Sequence, residues 1–363
     1  MLKIEMLSAG QGDALWIEYG PEESPHRIII DGGNAGSYPD GLHARILQLP
    51  KEDRFFELLV VTHVDLDHIG GALKLVKDKK LGATFGDIWF NGFEQLTSKD
   101  ELGPKEGDKL TEEITNQGLV WNQAFDGHAV VVPVDGDLPT ITLPGDLKLT
   151  LFSPYRAALD RLRDVWIIVT GRAGIGESGE VTGEPEPEEE EEGPADVLGD
   201  DVNVSEWATT KTPVDKAEAN GSSIAFLLEF EGHRVLLAGD AHPDQLTSSI
   251  ERMVGKDTPL DLTAFKLPHH GSKANVTKDL LQAVNCKHYL ISSGGDTRPD
   301  KFAISRILQF GGASPHLHFN CKNEPALLWD SDELRDKHGY ETTYPNDGDN
   351  GLPVDITTLP IDQ

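Results

Sequence analysis

One short turn, His63-x-Asp65-x-Asp67-His68, packs four side chains able to ligate a metal into six residues. Alternate residues of an extended stretch point the same way, so His63 and Asp65 can share one ion. Asp67 and His68, at the turn into the next segment, can face a second. Imidazole mixed with carboxylate suits Zn²⁺, Mn²⁺ or Fe and does not suit a Ca²⁺ cage. Two divalent ions would also help an acidic pocket keep its carboxylates ionised. A solvated turn with Asp67 capping a helix would account for Asp67 alone. It leaves the flanking histidines, and the Gly70-Gly71 pair just after them, unexplained.

Other polar residues occupy the same place relative to apolar runs. Asp31 follows Ile28-Ile29-Ile30, the His63 turn follows residues 58–61, Asp240 follows 235–238, and His269-His270 follow 265–267. Loops at strand ends stand on a stiff scaffold, and several on one edge make a site. The elements that must position them read as short strands near 2–6, 14–19, 27–31, 57–61, 85–90, 148–152, 223–230, 233–238, 261–267 and 287–292. Helices are expected near 41–48, 69–76, 111–121, 275–283 and 300–309. The run 57–61 is almost purely apolar, which predicts burial on both faces.

The composition agrees with an α/β protein. Of 363 residues 38% are hydrophobic, enough for a packed core, and 37 glycines and 22 prolines imply many turns. The formal net charge is −30, so bulk charge does not draw the chain to DNA or anionic lipid. Residues 171–206 hold 13 acids against Arg172 alone, a local net of −12 that leaves −18 elsewhere. The stretch 171–219 reads as an acidic low-complexity insertion, disordered or mobile, within one domain spanning 1–363. The two cysteines, Cys286 and Cys321, lack zinc-ribbon spacing and read as reduced thiols. No basic-then-apolar leader and no membrane-length apolar run stands out, so a cytoplasmic location is expected.

Five segments in order resemble the metallo-β-lactamase-fold hydrolases. Thr62-His-Val-Asp-Leu-Asp-His-Ile-Gly-Gly71 is similar to their His-x-His-x-Asp-His signature, with Asp65 in place of the second histidine, as in the ComEC-type branch. Gly10-Gln-Gly-Asp-Ala14, Ile30-Asp-Gly-Gly33, Leu237-Ala-Gly-Asp-Ala241 and Leu267-Pro-His-His-Gly-Ser272 resemble that branch's remaining motifs. The resemblance implies an α/β fold, a four-layer αββα sandwich, with a dinuclear site on one edge. It implies metal ligands His63, Asp65, Asp67, His68, Asp240 and His270, with Asp240 bridging two ions, Zn²⁺ or Mn²⁺. His269 would then support a ligand or donate a proton to the leaving group. The wider fold has one more ligand histidine before Asp240; His128 reads as a loop residue, and Asn220 resembles the branch's replacement.

The chemistry these residues imply is hydrolysis by a metal-bound hydroxide, with Asp67 orienting it and His269 protonating the departing oxygen. A phosphodiesterase or nuclease, acting with protein partners in a multi-component system, is the leading expectation, with DNA as a candidate substrate and no membrane partner. A small-molecule phosphoester hydrolase and a metal-binding regulatory module are the alternatives. Asp31 is expected to orient a ligand histidine, and Asp13 to be structural. Ser272 and Lys273 are candidates for touching a phosphate, and His242 for starting a helix. His26, His43, His233, His288, His316, His318 and His338 show no ligand spacing and are expected to be structural or exposed.

Overall fold

The computed structural model describes residues 1–96, 105–170 and 202–360. Leu2–Leu7 (β1) alternates, burying Leu2, Ile4 and Met6 on one face, as the two-residue period of a strand requires. It pairs antiparallel with Leu15–Tyr19 (β2), and β2 pairs antiparallel with His26–Ile30 (β3). Pairing then turns parallel, from β3 to Phe55–Val60 (β4) and on to Thr84–Trp89 (β5). Leu58, Leu59 and Val60 of β4 are fully buried, as its apolar run predicts.

A second sheet starts with four antiparallel strands, Thr140–Leu143 (β6), Leu147–Ser153 (β7), Ala225–Phe230 (β8) and His233–Leu237 (β9). It continues in parallel through Leu260–Lys266 (β10), Val284–Ile291 (β11), His316–Phe319 (β12) and Glu341–Thr343 (β13). Gly351–Asp355 (β14) returns to the first sheet beside β1. The sheets have six and eight strands.

Three apolar clusters define the layers. Leu2, Ile4, Trp89, Leu149, Phe226 and Leu290 lie between the sheets. Losing a ring as large as Trp89 from such a core typically costs about 3–5 kcal/mol. Ile69 of the helix Leu66–Lys77 and Trp166 of the helix Arg156–Thr170 cover the outside of the first sheet with Trp16 and Leu59. Ile250 of the helix Pro243–Val254 and Ile304 of the helix Lys301–Phe310 cover the second with Leu236 and Phe265. The order helix, sheet, sheet, helix is the αββα sandwich expected from the motif resemblance.

Two expectations change in detail. The acidic insertion was expected over 171–219; residues 171–201, with the glutamate run, lie outside the described residues. Residues 202–219 are ordered. Val204–Thr209 is a helix whose cap, Asn203, accepts a hydrogen bond from the Glu206 backbone N–H. Val204 and Ala208 are buried against the helix Lys301–Phe310, an i, i+4 face that the acidic composition of the stretch hides. The helix expected at 111–121 spans Lys105–Gln117. Gly118, at φ +62°, ends it, and Trp121 instead bridges Ile88 of β5. Cys286 is buried and Cys321 half-buried, and neither is in a disulfide. Among the described residues no helix is long and apolar enough to cross a membrane.

Candidate metal centre

Parallel strands deliver their carboxyl ends to one edge, and β3, β4, β9, β10 and β11 each release a polar segment there. Asp31, Thr62-His63, Asp240, His269-His270 and Ser292 follow them in turn. The helix Leu66–Lys77 begins just beyond His63 and brings Asp67 and His68 in its first turn, with Asp65 as its N-cap. Close backbone approach makes this possible. A Cβ on Gly12 would stand 1.6 Å from the Asp67 carbonyl oxygen, and one on Gly71 1.9 Å from that of Gly32.

One carboxylate oxygen gathers the cluster. Asp240 Oδ2 lies 3.3 Å from His68 Nε2, 3.6 Å from His270 Nε2, 3.9 Å from His63 Nε2 and 4.0 Å from His269 Nε2. Asp67 Oδ2 is 3.5 Å from His270 Nε2 and 3.8 Å from His68 Nε2. Asp65 Oδ2 reaches His63 Nε2 at 3.3 Å. Two compact sets of donor atoms share His68: His63 with His68 and Asp240, and Asp67 with His68 and His270; a third, Asp13 with Asp240 and His270, overlaps them. His63, His68, Asp240 and His270 are buried, whereas the side chains of Asp67 and Asp65 are 33% and 42% exposed and mark the open side. All six residues singled out in sequence as ligands therefore meet at one place.

The neighbours fix which ring nitrogens point inward. Asp31 sits in the left-handed region at φ 59°, which an aspartate tolerates better than most residues. Its carboxylate accepts from the Thr62 N–H (2.8 Å), the Thr62 hydroxyl (2.7 Å) and His68 Nδ1 (2.8 Å). With the Thr62 hydrogen given to Asp31, His63 Nδ1–H donates to Thr62 Oγ1 and Ser223 Oγ, each 3.0 Å away. His270 Nδ1 donates to the Ser292 carbonyl at 3.1 Å. Each Nε2 then carries a lone pair toward the cluster.

That arrangement fits a pair of cations. His68 Nε2 and His270 Nε2 are 3.2 Å apart, although both rings have already committed their protons on the other side. His63 Nε2 and Asp240 Oδ1 are buried without a hydrogen-bond partner. Lone pairs crowded together and buried acceptors left unsatisfied are costly unless positive charge joins them. The two donor sets suit a binuclear metal site. Burial opposes the ionised form of Asp240, but His68, His270 and His269 hold its carboxyl well below the usual carboxylate range. Burial likewise opposes charge on His270, while Asp240 and Asp13 raise its imidazole to about 9, so these carboxylates favour positive charge at Nε2, whether as a metal ion or as a proton that the ion displaces.

Two supports were not visible in sequence. Lys266, buried at the end of β10, bonds Asp13 Oδ2 at 2.7 Å, and Asp13 Oδ1 stands 3.3 Å from His270 Nδ1. Asp13 is thus structural, as expected, and also lies directly behind a candidate ligand. Asp215, within the stretch read as low complexity, accepts from Asn220 and Asn275, each at 2.8 Å, and faces His269 Nδ1 at 3.4 Å. Asn275 Oδ1 is 3.0 Å from the same nitrogen. Against the opposing effect of burial, Asp240 and Asp215 push the His269 pKa up. His269 and His270 both adopt left-handed backbone, at φ 47° and 54°. That conformation is strained for histidine and turns the two rings different ways, one toward Asp215 and one toward Asp13.

Other candidates fall elsewhere. Asn220 is buried beside His269, with its amide given to Asp215. His128 is exposed in a loop. His242 caps the helix Pro243–Val254 through its backbone position, and its ring bonds the Ala217 carbonyl. Ser272 is buried and accepts from the Ala274 N–H, while Lys273 Nζ lies 3.9 Å from Asp300. His288, His316 and His318, expected to be structural or exposed, meet on the second sheet.

No family model matches the chain, and no curated protein matches it in sequence. Solved structures with a similar layout include a protein from Parabacteroides distasonis assigned as a metal-dependent hydrolase, at 12% identity and TM-score 0.41, over 88% of this chain and 92% of that one. Another is the metallo-β-lactamase fold protein YhfI from Bacillus subtilis, at 10% identity and TM-score 0.37, over 98% and 99%. A third is CmlA, a diiron β-hydroxylase from Streptomyces venezuelae, at 10% identity and TM-score 0.39, over 97% of this chain and 54% of that one. Likeness of this degree leaves the chemistry to be read from the chain's own residues.

Proposed function

We propose that the chain is a dinuclear metal-dependent hydrolase whose substrate is a phosphodiester. The observation that carries this reading is the position of Asp240 Oδ2 within 4.0 Å of four histidine Nε2 atoms. His63, Asp65 and Asp240 would hold one ion, and Asp67, His68 and His270 the other, with Asp240 reaching both. When bound, two such ions acidify a water at neutral pH and offset the negative charge that builds on a phosphoryl group under attack.

The protein's own groups supply the rest. Asp67 stands at the open side, where its carboxylate can orient the attacking water. His269 turns Nδ1 to Asp215 and Asn275 and Nε2 toward the cluster. Asp215 favours the charged imidazole, which can give its Nε2 proton to the departing oxygen. Asp31 and Asp13 hold His68 and His270 in place.

The order of motifs, similar to the ComEC-type branch, supports a nuclease. The net charge of −30 favours a small phosphodiester, since a nuclease has to attract a polyanion. Incubation with plasmid and linear DNA, and with bis-p-nitrophenyl phosphate, in Mn²⁺ or Zn²⁺ separates the two. DNA cleavage that is lost in Asp240→Asn supports the nuclease. Hydrolysis of the small diester alone, again lost in Asp240→Asn, supports the second reading. Cleavage of neither substrate by protein carrying two equivalents of metal overturns the hydrolase reading.

A further inference from the structure

β11, β12 and β13 pair in parallel, with His288 opposite His316, His316 opposite Glu341, and His318 opposite Thr343. Residues opposite one another across a ladder, and residues two apart along a strand, share a face. These five side chains therefore stand on one face at the β13 edge of the second sheet. His316 and His318 stack with centroids 4.1 Å apart, and His288 is 5.4 Å from each. His288 Nδ1 lies 3.1 Å from His318 Nε2, and one nitrogen from each ring lies within 4.8 Å of the others.

We propose that His288, His316 and His318 form a further metal site, distinct from the strand-end centre, for one transition-metal ion of the kind imidazole prefers, with Zn²⁺ the best fit. Nitrogen ligands about 2.0–2.1 Å from a tetrahedral Zn²⁺ stand roughly 3.3 Å apart, so the His288–His318 separation already matches, and His316, with a nitrogen within 4.8 Å of both, has to close in. Three protein ligands leave a fourth position for water. Glu341 Oε2, 3.3 Å from His316 Nδ1, is the carboxylate that a ligating imidazole commonly uses to fix its orientation. With Nδ1 held by Glu341, His316 Nε2 is the nitrogen left to ligate. It now meets the Thr343 hydroxyl at 2.7 Å, a group that rotates aside without disturbing the backbone. His288 and His318 are buried, whereas the His316 side chain is 19% exposed and Glu341 is 70% exposed, which gives an ion a path from solvent. Ser292, which bonds His270, lies four residues beyond His288, so roughly 13 Å of strand separates the two sites.

The test counts ions. Metal-stripped protein is titrated calorimetrically with Zn²⁺, as the natural chain and as His316→Gln. The substitution should remove one equivalent, whatever total the natural chain binds. The same loss should appear when His316→Gln is added to His63→Ala, since the two sites are independent. Equal stoichiometry in the natural chain and in His316→Gln overturns the proposal and leaves a plain ring-to-ring hydrogen bond. Should His316→Gln fail to fold by circular dichroism, diethyl pyrocarbonate labelling of the natural chain decides. Zn²⁺ should protect the His316 peptide, and unchanged labelling overturns the site.

Discussion

Asp31 holds three donors at once, and two of them belong to Thr62 and one to His68. Asp31→Ala should free the His68 ring and leave the Thr62 N–H buried without an acceptor. Metal affinity should fall about 10–100-fold, read by competition with a chromophoric chelator. Asp215→Asn acts on proton delivery instead. It should lower kcat more than it raises KM, and more so for an alkyl phosphodiester than for a p-nitrophenyl one, whose leaving group departs without a proton. Equal losses on both substrates would argue against a proton-donating His269. Residues of the candidate centre were legible because they follow apolar runs directly and differ in type from ordinary loop residues. Asp215 and Lys266 were not. Asp215 sits in acidic sequence with no local pattern, and a single lysine ending an apolar run signals nothing until Asp13 is seen beside it.

At the scale of elements, long alternating or apolar runs announced β1, β4, β7 and β10. β12 and β13 span only 4 and 3 residues, too short for a period to show, and β14 carries Pro353 inside it, which reads against a strand. His316-x-His318 did carry a signal, since two residues apart on a strand share a face, but its partner His288 is brought in by strand register alone. Register also places the Lys266 side chain in the interior. Lys266→Met would leave the Asp13 carboxylate buried without its cation and should cost about 3–5 kcal/mol in urea unfolding. Adding Asp13→Leu should recover much of that loss, because an apolar pair of similar volume replaces a buried ion pair at little net cost. The loop before β2 has its own constraint. Gly12→Ala should push that loop off the start of the helix Leu66–Lys77, costing about 1–3 kcal/mol by overpacking.

For the whole molecule, residues from both sheets contribute to the centre, so ion binding and folding are coupled. Free Zn²⁺ at about 100 times Kd should add about 2.7 kcal/mol. A chelator should therefore lower Tm by several degrees in calorimetry, and Asp240→Asn should shrink the difference between stripped and loaded protein, with His316→Gln removing the rest. An unchanged Tm on chelation would show that the edge is rigid without ions.

His63 touches Thr62 from one sheet and, through Ser223, the start of β8 in the other. The Thr62 carbonyl also accepts from the Ile224 N–H across the same gap. The imidazole is thus one clasp on two covers that the Lys266–Asp13 pair also ties together. Loosening it should let the covers part at that end first, so deuterium uptake after chelation should quicken together in peptides holding Thr62 and Ile224, while the far margin of the book stays shut.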